Sequence, residues 1–141
     1  MKKLLFATLA LFAACKNEPG NTTKSDFTPP KSGTTVAADS VLIEEDKLNH
    51  QYFAVTVIAT DSSINGTYDI EAHWGFNMAV NTIRMPIGGE HFEPILRRGK
   101  EPYSFIVGFH FDNDTAFHEY YAIDGQRGQM MMKYVKAYTL Q

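Results

Sequence analysis

Thr67-Tyr68-Asp69-Ile70-Glu71-Ala72-His73-Trp74-Gly75 is the stretch that decides the fold. Tyr68, Ile70, Ala72 and Trp74 share one parity, while Thr67, Asp69, Glu71 and His73 share the other. This unbroken period of two fits a strand with one face in a core and the other in water. Upstream, Tyr52 to Ala59 reads as a second strand, and Asp61-Ser62-Ser63-Ile64-Asn65-Gly66 supplies the turn residues that join the two into a hairpin. Turn signals continue along the chain about every 8–12 residues, the spacing of a meander. With 13% aromatic residues, among them 10 Phe and 7 Tyr, the composition also favours pleated surfaces.

Working outward, the apolar residues of Asn77 to Met85 fit a strand or a short helical turn, of which the strand is taken, and Pro86 ends it either way; Gly88-Gly89 reads as a turn. His91 to Arg97 contains Pro94, which has no N–H to donate, so this segment is expected at a sheet edge or a bulge. Tyr103, Phe105, Val107, Phe109 and Phe111 form one apolar face; Phe117, Tyr121 and Ile123 form the next. Pairing odd with odd places Phe111 opposite Phe117 and His110 opposite His118. A loop at Gly125-Gln126-Arg127-Gly128 then sets Tyr121 against Met132, on a return strand apolar at Met130, Met132, Tyr134, Tyr138 and Leu140. The expectation is an all-β, antiparallel meander of seven or eight strands spanning residues 40–141. Closure into a small barrel would protect its edges, with a two-sheet sandwich as the alternative.

The first 39 residues read differently. Lys2 and Lys3 precede an apolar run of 11 residues, Leu4 to Ala14, shorter than the ~20 residues needed to span a bilayer. The run ends at Ala13-Ala14-Cys15, which resembles the lipobox of bacterial lipoproteins, with Phe12 where that family usually carries Leu. The resemblance implies removal of residues 1–14 and diacylglycerol on Cys15, hence attachment to a membrane. Cys15 is the only cysteine, so once acylated it leaves no thiol for a disulfide or a thiolate metal site. Residues 16–39 are rich in Pro, Gly, Ser, Thr and Asn and are expected to be a disordered tether with a reach of about 25–30 Å. Lys16-Asn17-Glu18 is similar to the tract that sends some lipoproteins across the outer membrane. A cell-envelope location on the outer membrane follows as an expectation, facing either the periplasm or the outside. Without Lys2 and Lys3, 11 basic side chains face 16 acidic ones, a net charge of −5 that argues against a nucleic-acid partner.

Chemistry-bearing groups are sparse. No Gly-x-Ser-x-Gly elbow and no phosphate-cradling loop is present, so no catalytic set assembles and the chain reads as non-enzymatic. His110 facing His118, with Asp112 two residues along the same face, would suit Zn²⁺ or Cu²⁺; two outward-facing histidines are the plainer reading. Glu90-His91-Phe92-Glu93 sets an imidazole among carboxylates. Arg97, Arg98 and Lys100 form a basic cluster fit for an anionic ligand or partner. The primary expectation is an envelope lipoprotein whose β domain binds a protein or an apolar ligand, because Met130-Met131-Met132 and Val135 put apolar side chains on both faces of a strand. Two alternatives are a metal-binding module on His110 and His118, and an inhibitor or immunity protein directed at an envelope-active enzyme.

Overall fold

A computed structural model describes residues 27–86, 91–111 and 114–138. The first half of the chain forms β1 (Thr35–Leu42), β2 (Tyr52–Ala59), β3 (Thr67–Trp74) and β4 (Asn77–Arg84). The second half forms β5 (Ile95–Arg98), β6 (Ser104–Phe109), β7 (His118–Gln126) and β8 (Gln129–Tyr134). Each set is a four-stranded sheet in sequence order, with every neighbouring pair antiparallel. Short 3-10 turns at Glu44–Asn49 and Ser63–Asn65 join β1 to β2 and β2 to β3.

Alternation built these sheets. Phe53, Val55, Val57 and Ala59 of β2, with Tyr68, Ile70 and Ala72 of β3, point inward and are buried. Phe105, Val107 and Phe109 of β6 and Tyr121 and Ile123 of β7 meet them from the other side. Phe53 and Phe105 touch across the interface with ring centroids 5.5 Å apart. Two sheets facing each other over one shared core form a sandwich.

The barrel expectation is thereby corrected to the sandwich. Among the described residues no backbone ladder joins β1 to β5 or β4 to β8. Side chains close both seams instead. Arg98 of β5 grips Asp39 of β1. On the other side β4 is tied to β7 and the β7–β8 turn: Asn77 donates to the Gly128 carbonyl, Asn81 to the Tyr121 hydroxyl, and Tyr120 to the Arg84 carbonyl. Pro94 lies immediately before β5, an edge strand of only four residues, as a residue without an N–H requires.

Three finer expectations also change. The folded domain starts before residue 40: β1 begins at Thr35 and pairs with β2 from Thr35↔Ile58 onward, because Val36 and Ala37 pack on the core despite their polar flanks. The β7–β8 connection is the two-residue turn Arg127-Gly128, with φ of 48° and 82°, the left-handed pair of a type I′ hairpin. Tyr121 consequently faces Tyr134, and Met132 faces Ile123.

The third change is a bulge. From Ser104↔Asp124 to Val107↔Tyr121 the β6–β7 register is as expected, but Gly108 then pairs with Glu119 and Phe109 with His118. Tyr120 is the extra residue. Gly108 makes the shift possible: a Cβ there would stand 2.3 Å from the His118 carbonyl oxygen and 2.6 Å from the Phe117 ring. Gly108→Ala is expected to destabilise the domain by about 1–3 kcal/mol through this overpacking, read from urea denaturation. An unchanged midpoint would contradict the bulge.

Candidate functional site

The bulge separates the two histidines whose pairing suggested a metal site. His118 opposes Phe109 and stacks on it, with centroids 5.6 Å apart. Phe111 and Tyr138 meet its ring edge to face, and Nε2 lies 3.2 Å from Asp114 Oδ2. His110 turns elsewhere: its Nδ1 is 2.7 Å from the Ala116 carbonyl oxygen and its Nε2 is 3.3 Å from Arg97 Nη2. Donation from Nδ1 to the Ala116 carbonyl and acceptance at Nε2 from Arg97 would satisfy both contacts and engage both ring nitrogens. Asp112, the expected third ligand, lies outside the described residues. Among the described residues no three His, Cys, Asp or Glu gather closely enough to hold a metal ion.

The basic cluster is dispersed as well, since successive residues of a strand point to opposite faces. Arg98 donates through Nε to Asp39 Oδ2 at 2.8 Å, and through Nη2 to Asp39 Oδ1 and the Ser40 carbonyl, both at 3.0 Å. This forked clamp ties the two sheets together at the β1/β5 seam. Arg97 lies 4.3 Å above the Phe117 ring centre, a cation–π contact that also positions it for His110. Lys100 is exposed in the following turn, so the three charges do not form one anion site. His91 stacks on Phe27 at 4.4 Å, while Glu90 lies outside the described residues. Cys15 is outside them too.

The outer strands β4 and β8 remain, each of which presents apolar side chains to water. Met78 and Val80 project from the outer side of β4 and are 59% and 52% exposed. On β8 and just beyond it Met131, Tyr134 and Val135 are exposed as well. Among the described residues these strands are the edges of their sheets, and their outer backbone groups have no ladder partner next to the apolar side chains. Toward the end of the seam a groove of about 300 Å³ opens between Pro86, Tyr120, Tyr134, Lys136 and Tyr138. Tyr120 and Tyr134 meet edge to face at 5.2 Å, and Tyr138 is held by its hydroxyl on the Glu119 carbonyl. Met131 and Val135 were legible as doubly apolar positions; Met78 and Val80 were not, because the alternation of β4 is blurred by Ala79 and Asn81 on its inward side.

Comparison of the chain with protein-family models, with curated proteins and with solved structures gives no match.

Two carboxylates are held below the usual range. For Asp39 the leading cause is the Arg98 hydrogen bond; for Asp114 it is the Ala116 backbone N–H, followed by His118. A carboxyl with a lowered folded-state pKa stabilises the fold above its unfolded pKa and loses that contribution as pH falls through the folded one. Asp39→Asn is therefore expected to flatten the dependence of the denaturation midpoint on pH between about 2 and 5. Parallel wild-type and variant profiles would show that the clamp carries no charge-dependent stability.

Proposed function

We propose that this chain is a lipid-anchored protein of the bacterial cell envelope, attached to the outer membrane, whose β-sandwich is a non-catalytic module that binds a protein partner along the β4/β8 seam. The observation that carries the binding half is the set of exposed Met78, Val80, Met131 and Tyr134 on two edge strands, with Val135 just beyond the second. Methionine and valine on a bare sheet edge combine adaptable apolar contacts with backbone groups ready to pair, which suits strand addition by a partner. The filled interior favours a surface partner over an enclosed apolar ligand, since the inward residues of β2, β3, β6 and β7 are buried against each other.

The anchoring half rests on Lys2-Lys3, the apolar run Leu4 to Ala14 and the Ala13-Ala14-Cys15 junction. Two or more acyl chains on one cysteine hold a protein at a membrane without help from its surface, which leaves the whole sandwich available to a partner. Cys15→Ser is expected to move the protein from the membrane pellet to the soluble fraction of lysed cells. Retention of that variant in the pellet would overturn lipid anchoring.

The seam is tested separately by placing a photo-crosslinking residue at Val80 or Met131, with Ala38 on the opposite edge as control. The expected outcome is a discrete adduct of one size from both seam positions and none from Ala38. Equal labelling at all three, or no adduct at the seam, would contradict the assignment.

A further inference from the structure

At the end of the sandwich where β1, β3 and β7 finish and β6 begins, two adjoining clefts of about 450 and 460 Å³ share Glu45, Trp74 and Arg127. Tyr103 and Glu101 complete one cleft, and Asp46 the other. We infer that this corner is a binding site for an organic ammonium group carried on a ligand that also bears an oxygen acceptor.

The aromatic part is built into the fold. Trp74 packs so closely on β7 that a Cβ at Gly125 would stand 2.8 Å from its Cε3, so the glycine gives the indole a flat seat. Tyr103 meets Trp74 with centroids 4.9 Å apart and planes 73° apart, a near-perpendicular corner. The Tyr103 hydroxyl accepts the Glu44 backbone N–H at 2.9 Å, which fastens the turn carrying Glu45 and Asp46 to the aromatic pair. Rings and carboxylates are thus positioned relative to one another by one hydrogen bond.

Three carboxylates border the corner against one guanidinium, so its potential is negative. Glu44 is paired with Lys47, whereas no ion pair reaches Glu45, Asp46 or Glu101 among the described residues. The three are also too dispersed to hold one metal ion. A cation larger than a metal, able to lie against indole and phenol rings while facing carboxylates, matches that spacing; tryptophan is the best ring for such contact. Arg127 sets the second requirement. It occupies the left-handed first position of its turn, φ 48°, where Asn or Gly would cost less, and it lines both clefts. A guanidinium donates only, so it calls for an oxygen on the ligand.

Trp74 is the only tryptophan, so its fluorescence reports on this corner alone. The mature protein in detergent is titrated with choline chloride, with sodium chloride at equal ionic strength, and with 3,3-dimethylbutan-1-ol, the neutral isostere of choline. Choline is expected to give a saturable change absent with sodium chloride. Its dissociation constant should rise at least about threefold in Glu45→Gln and in Glu101→Gln, both exposed positions, and the neutral alcohol should bind at least about threefold more weakly than choline. A response to choline no different from salt would overturn the proposal. So would binding unchanged in both variants, or equal binding of the neutral alcohol, which would make the corner an apolar pocket only.

Discussion

Two four-stranded sheets, each apolar on one face, have to cover each other, and the contact between β2–β3 and β6–β7 is what the rest of the molecule depends on. Phe53, Val57 and Ile70 on one side and Phe105, Val107 and Ile123 on the other are completely buried. A chain with one cysteine has no second thiol with which to staple this domain, so burial of the central strands must supply most of the stability. The outer strands follow from that pairing, because each is held mainly by its ladder to a central neighbour.

Arranging the strands as two meanders leaves four edges, and the protein treats them unequally. The β1/β5 seam is polar, with the Arg98 fork on Asp39 standing where ladder bonds would run in a closed barrel. Both groups are substantially exposed, so the clamp gives alignment more than stability. At the β4/β8 seam three side-chain hydrogen bonds tie β4 to β7 and to the β7–β8 turn, while Met, Val and Tyr side chains of β4 and β8 stay exposed. Natural sheets commonly protect such edges with charge or proline, and β4 carries neither before Arg84. An edge left apolar in this way is the physical basis for proposing the seam as a partner surface.

Strand identity was largely legible because it depends on local alternation. Thr67–Trp74 and Tyr52–Ala59 stand where their period of two places them, and Pro94 marks an edge. Closure was not legible, since whether β4 pairs with β8 is decided by contacts between residues far apart in the chain. The bulge was hidden for a related reason: Gly108 looks like any glycine in a strand until the neighbouring backbone is seen 2.3 Å from its missing Cβ. That single residue undid the His110–His118 pairing and with it the geometry of the metal reading. The Arg98–Asp39 clamp spans 59 positions and leaves no trace in either local sequence. The Trp74–Tyr103 corner was equally invisible, although the inward parity of Trp74 was plain.

Amide hydrogen exchange on the isolated protein tests most directly the idea of a sandwich with an open β4/β8 seam. The central strands β2, β3, β6 and β7 should exchange only through global unfolding, while the outward-facing amides of β4 and β8 exchange orders of magnitude faster. Uniformly slow exchange across β4 and β8 in the isolated protein would mean that the two strands are already paired, and that no open seam exists.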